Sequence, residues 1–315
     1  MTMKMTLLKV GTALWLAALP TIAAAQTAPA APALTAAPPA AAGPASVDAD
    51  PALWAVRDED TTIYLFGTIH VLKPGLSWFD DAVRRAFDQS DQVVLELVTP
   101  EPAAMQGLIM KLAVNPTGPT LTEKLPADKR EAYAKAVTGL GLPANAFDRL
   151  DPWFASVNLS LLPLQKLGYD PTQGVEAQVS AAAKAAGKTV IGLETAEEQL
   201  GFFDALSQPA QVKLLVSTVD ELDGLGPMIK TMVGAWAKGD PEALGKLMND
   251  SLRESREVAK VLLNDRNERW ADWIEKRLET PGTVFMAVGA GHLAGHDSVL
   301  AKLTTRKAKL VRLGY

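Results

Sequence analysis

Two short apolar runs in this chain end in the same phrase. Residues 62–66 (TIYLF) lead into Gly67-Thr68-Ile69-His70, and residues 283–288 (TVFMAV) lead into Gly289-Ala290-Gly291-His292. A short apolar run rich in β-branched and aromatic residues and bounded by glycine reads as a buried β-strand. A strand leaving a sheet turns sharply, and glycine permits the backbone geometry. The chain has three histidines, and two of them stand at these matched positions. The expectation is that His70 and His292 meet at one sheet edge and hold a metal ion or a reacting group. The repeated phrase also hints at an internal repeat, although the intervals after the two copies differ.

The segments around these runs set the fold class. Residues 53–56 (LWAV) and 61–66 flank the charged turn Arg57-Asp58-Glu59-Asp60 and predict an opening hairpin. An amphipathic helix over 78–90 leads into a buried strand over 92–98 (QVVLELV). Strand–helix–strand order predicts parallel pairing, with sites at the carboxyl ends of the strands. Helices are predicted over 101–114, 126–139, 144–149 and 152–167, an inserted helical region at about 101–167. A helix over 174–186 stopped by Gly187 precedes a strand over 188–193, and Thr195 with Glu198 predicts a capping box for the next helix. Helices over 209–231, 233–247 and 252–278 follow, then the strand 283–288, a helix over 293–303 and an edge strand over 307–312. The fold expected is α/β, a central mixed β-sheet flanked by helices.

Composition assigns the ends and excludes several classes. Residues 1–9 carry Lys4 and Lys9 and no acid, 10–22 are almost wholly apolar, and Ala23-Ala24-Ala25 fits a small-residue cleavage rule. Residues 1–25 are therefore expected to be a secretory signal peptide that places the mature chain in the periplasm or outside the cell; an uncleaved anchor is the alternative. Residues 26–50 are Ala/Pro-rich and read as a flexible linker, leaving 51–315 as the α/β domain. The absence of cysteine excludes disulfides, thiolate metal sites and a thiol nucleophile. The formal charge of −5 becomes −7 without Lys4 and Lys9, and an acidic chain without basic runs is a poor match for nucleic acid. No later apolar run reaches the roughly 18 residues of a membrane span, so no membrane insertion is expected after signal cleavage.

Chemistry-bearing residues stand out against this background. Glu96 interrupts a run of Val and Leu, where a carboxylate must be paired, lie at a strand end or bind a cation. With His70 and His292 it makes a metal triad with open positions, or the base that activates a metal-bound water. Glu194 follows a strand directly and Glu176 opens a helix; both are candidate site carboxylates, although helix-dipole complementarity also explains an acid in a first turn. Arg266 and Asn267 lie between Asp265 and Glu268 and, taken alone, read as a solvated helix face. His296 stands four residues after His292, but Leu293 occupies the place of the glutamate in an H-E-x-x-H site, and His296 reads as an exposed loop residue. Residues 289–294 (GAGHLA) mimic a dinucleotide loop but lack the acid expected downstream. No P-loop or G-x-S-x-G elbow is present.

Together Trp54 in LWAV, YLFGTIHVLK at 64–73, VVLEL at 93–97, GLETAEEQ at 192–199, Arg266-Asn267 and VGAGHLAG at 288–295 resemble the TraB/PrgY/GumN family. The resemblance runs from about residue 53 to the C-terminus and is closest to its bacterial GumN-like branch. That family is similar to the Tiki metalloproteases and related in fold to erythromycin esterase and the haem-binding ChaN. The resemblance implies a divalent ion (Mn, Co or Zn) on His70, His292 and Glu96. It also implies catalytic parts for Glu96, Glu194 and Arg266, and substrate contacts for Glu176 and Asn267. The activity it implies is a periplasmic metal-dependent hydrolase acting on peptide or protein. The alternative is a non-catalytic binder of haem, metal or peptide.

Overall fold

The computed structural model describes residues 46–249 and 255–315. The expected signal peptide and residues 26–45 of the expected linker lie outside them. Eight strands are present among the described residues: β1 Val47–Asp48, β2 Leu53–Arg57, β3 Thr61–Thr68, β4 Leu76–Ser77, β5 Gln92–Leu97, β6 Thr189–Glu194, β7 Gly282–Gly289 and β8 Leu310–Leu313. Six of them form one sheet in the order β6-β5-β7-β3-β2-β8. The four strands β6, β5, β7 and β3 run parallel, while β2 is antiparallel to both β3 and β8. The expected mixed sheet and opening hairpin are therefore present, and the edge strand expected over 307–312 is β8, Leu310–Leu313.

Side-chain alternation decides which helices cover which face. Tyr64, Phe66, Val93, Leu95, Phe285 and Ala287 point into the larger apolar layer. Helices Pro152–Lys166, Gln208–Glu221 and Leu225–Ala237 supply that layer. Ile63, Leu65, Val94, Val284, Met286 and Val288 point to the opposite layer, under helices Asp265–Leu278 and Val299–Thr305. Strands buried on both faces explain why these runs are continuously apolar rather than alternating. Among the described residues no helix is long and apolar enough to cross a membrane.

Several local expectations are corrected. Val47–Asp48 pairs parallel with Leu76–Ser77, and Ala49 is buried, so ordered structure begins inside the segment assigned to the linker by composition. Residues 144–149 form turns instead of a third helix. Asp148 there spends its carboxylate on the backbone and hydroxyl of Thr122, the kind of local bonding that competes with a helix. The helix expected over 209–231 is divided by a 3-10 turn at Leu222–Gly224 into Gln208–Glu221 and Leu225–Ala237. Pro227 lies in the first turn of helix Leu225–Ala237, where a missing N–H costs little. The helix expected from 293 begins only at Val299, capped by Ser298. Of the long helix expected over 252–278, residues 252–254 lie outside the described residues, and the rest runs as Arg256–Ala259, a π segment Lys260–Asn264 and Asp265–Leu278. The capping box of Thr195 and Glu198 is present as expected.

Candidate functional site

Four parallel strands end at one edge, and each delivers a polar group there. β3 runs into His70, β5 carries Glu96 near its end, β6 ends on Glu194, and β7 runs through Gly289 into the 3-10 turn Ala290–Leu293 that holds His292. β3 and β7 are neighbours, with Thr68 opposite Gly289, so the two Gly-x-x-His phrases lie side by side, one residue out of register. The glycines are not there for a left-handed turn, because neither Gly67 nor Gly289 has positive φ. They are there for space. A Cβ on Gly67 would lie 3.1 Å from the Ala290 Cα, and one on Gly289 would lie 2.9 Å from Glu96 Oε1. The Gly67 carbonyl, freed at the strand end, accepts a 2.7 Å bond from Trp236 Nε1.

Arg266 is the hub. It is almost wholly buried, in contrast to the solvated helix face its neighbours suggested. Its Nε donates to both oxygens of Glu194 at 2.9 and 3.1 Å, and NH2 donates to Glu194 Oε2 at 2.8 Å and Glu96 Oε2 at 2.7 Å. NH1 lies 3.1 Å from His292 Nε2 and also donates to the Leu262 carbonyl at 3.3 Å. Leu262 belongs to the π segment that precedes the helix of Arg266. Gln199 donates to Glu96 at 3.2 Å and weakly to Glu194 at 3.5 Å, and the Gly289 amide donates to Glu96 Oε1 at 2.7 Å. Arg269, half exposed, reaches Glu194 from the rim at 3.4 Å. Burial opposes the Arg266 charge, but the carboxylates of Glu96 and Glu194 outweigh it and raise the guanidinium pKa further.

The state of His292 follows from its neighbours. Asn267 Nδ2 donates to the Asp297 carbonyl at 2.8 Å, so its Oδ1 is the atom facing His292 Nδ1, at 2.5 Å. Nδ1 must therefore carry the proton, and Nε2 accepts from the Arg266 NH1 group. Burial, the Arg266 charge and then His70 hold the His292 pKa well below the ordinary value. The ring packs 4.2 Å from Trp270, which also lies 4.7 Å under the Arg266 guanidinium.

His70 has the opposite character. Its Nδ1 lies 2.5 Å from Glu176 Oε1, off the line of an aligned N–H···O bond. Thr68 donates its hydroxyl to the same carboxylate. Burial pulls the His70 pKa down, but the charge and bonding of Glu176 and the charge of Glu96 override it and raise it to about 9. Burial pushes Glu176 up, and His70 and Thr68 more than reverse that. The pair is held by a close approach at Gly174, where a Cβ would sit 2.7 Å from the His70 carbonyl carbon and 2.9 Å from the Pro171 oxygen. Gly174→Ala should cost roughly 1–3 kcal/mol by overpacking and separate His70 from Glu176. Urea unfolding and the His70 NMR titration read the two effects; an unchanged titration would show that the loop absorbs the methyl.

The candidates His70, Glu96, Glu176, Glu194 and His292 all lie at this edge, and so do Arg266 and Asn267, which the family resemblance and not their own sequence surroundings singled out. His296 is exposed, as expected, and lies 2.9 Å from Asp297. Thr68, Gln199, Trp270 and Arg269 were missed. Trp270, four residues after Arg266, was detectable as the same helix face.

The arrangement does not fit the expected ion. Among the described residues no group of three His, Asp or Glu side chains is placed to hold a metal. Both His292 nitrogens and both Glu96 oxygens are engaged, and the Arg266 guanidinium already bonds both Glu96 and Glu194.

Comparison with known proteins places the chain. The sequence model of the TraB/PrgY/gumN family matches residues 52–312. The chain belongs to this family. It is 23% identical over 249 residues to an uncharacterized protein YbaP of Escherichia coli K12, covering 79% of this chain and 90% of that one. It is 22% identical over 277 residues to an uncharacterized protein of Treponema pallidum, covering 81% and 80%. No solved structure gives a significant match.

Proposed function

We propose that this TraB/PrgY/gumN member is a periplasmic hydrolase of acyl bonds, with peptides as its substrates, and that His70 moves the proton. The observation that carries this reading is the His70–Glu176 pair at the carboxyl edge of the sheet. Its side chains keep 10% and 19% exposure, whereas those of His292, Arg266, Glu194 and Glu96 have 0, 2, 4 and 6%. Glu176 lies against Nδ1 and leaves Nε2 as the atom that gives a proton to a leaving amine. His70 lines a cavity of about 10 Å³ together with Thr68, Met232, Met248 and Gly289, with space for about one water. The Arg266 cluster acts as a fixed charge frame behind it.

The divalent ion that the resemblance implies is no part of this reading, since it would require Arg266 to release Glu96 and His292. The test is a peptide pool incubated with the protein and followed by mass spectrometry, with and without chelator. Hydrolysis should fall by about 10²–10⁴ in His70→Ala and also fall in Glu176→Gln. Cleavage unaffected by either substitution would overturn the proposal. A second reading, a non-catalytic binder of peptide, haem or metal, is favoured by one observation. The open cleft of about 500 Å³ is lined by Val98, Leu108, Leu193 and Glu194, on the β6 side rather than at His70. Intact peptide recovered from a stable complex, or a Soret band on adding haem, would favour it.

A further inference from the structure

We propose that Arg266 is the resident cation of this centre, its guanidinium standing where a divalent ion would neutralise Glu96 and Glu194, so that the native chain holds no metal there. Three observations carry this, and none depends on whether the chain is a hydrolase.

The donors of the guanidinium are all committed. Nε and NH2 bond Glu194, NH2 bonds Glu96, and NH1 faces Leu262 O and His292 Nε2. A guanidinium fork matches two carboxylates geometrically as an ammonium cannot. The charges also balance. Two buried carboxylates, Glu96 and Glu194, meet Arg266 from within and Arg269 from the rim. A divalent ion bonded to Glu96 would stand beside a permanent cation in a low-dielectric site, where repulsion is strong. Finally, the nitrogen a metal would need is taken. The chain from the Asp297 carbonyl through Asn267 fixes the proton on His292 Nδ1 and turns the Nε2 lone pair to Arg266. On the side facing Gly289, His292 presents its Cδ2 carbon rather than a nitrogen.

The experiment is metal analysis after equilibrium dialysis of the full chain against excess Mn, Co or Zn. Wild type is compared with Arg266→Met and with Arg266→Met/Glu194→Gln. The double variant removes one acid with the cation, so it keeps the comparison informative if the single variant fails to fold. Wild type should take up no stoichiometric ion, and its melting temperature should not move with ion or chelator. The double variant should bind an ion at least about tenfold more tightly than wild type as the local repulsion is lifted. Adding His292→Ala should abolish that gain. A stoichiometric ion in wild type that is lost in both His70→Ala and His292→Ala would overturn the proposal. So would folded Arg266 variants that gain no affinity for any of the three ions. Peptide hydrolysis plays no part in this readout, so failure here and failure of the hydrolase reading are separately visible.

Discussion

Arg266→Met should destabilise the protein by about 3–5 kcal/mol, the usual cost of breaking a buried ion pair and leaving its partners charged. Methionine matches much of the volume, so the loss is electrostatic rather than a cavity. Glu96 and Glu194 then have Gln199, the Gly289 amide and the rim cation Arg269 as their remaining partners. Arg266→Met/Glu194→Gln should recover part of the loss, since one uncompensated carboxylate disappears with the cation. Urea unfolding of wild type, both single variants and the double closes a cycle whose coupling should exceed about 1 kcal/mol. A single-variant cost within the roughly 0–1 kcal/mol of an exposed pair would contradict the hub role of Arg266.

Stability should fall as pH rises from about 6.5 to about 9, and His70 should be the main reason. Its folded pKa of about 9 lies above the ordinary 6.5. The native state therefore binds the extra proton in that window, and the slope of stability with pH is negative. The contribution is complete below pH 6.5 and gone above pH 9; a difference of that size is worth about 3 kcal/mol. Glu176→Gln removes the group that raises the pKa, and this decline should then largely disappear. His292 works in the other direction. Its pKa is held low in the fold, so the unfolded chain takes up the proton first as pH falls below 6.5, and stability drops there too. Glu176, held low as well, adds a loss as pH falls below its ordinary range near 4.5. A wild-type stability curve that is flat from pH 6.5 to 9, measured by urea unfolding beside Glu176→Gln, would contradict the His70–Glu176 pairing.

The sequence by itself determined the strands and the edge on which the site is built. A strand buried on both faces must be continuously apolar, so β3, β5 and β7 stand out from the chain without any tertiary information. Parallel order then sends their carboxyl ends to one side, which is why His70, Glu96 and His292 could be grouped from the sequence, with Glu194 as a further candidate at a strand end. Helix 3.6-periodicity was less informative where proline, π turns and local side-chain bonding intervened, as at Pro227, Lys260–Asn264 and Asp148.

Tertiary structure alone decided who is paired with whom. Arg266 sits among charged neighbours in sequence, and only the packing of helix Asp265–Leu278 over the strand ends shows that it is the buried one. Glu176 looked like a helix-dipole residue until the Gly174 contact brought its helix against the His70 loop. The identical Gly-x-x-His phrases suggested two equivalent histidines. Their partners make them opposites: Glu176 favours the charged form of His70, while Arg266 and burial favour the neutral form of His292. Spacing tells where a side chain is delivered, but protonation depends on the charges within a few ångströms, and those come from distant parts of the chain.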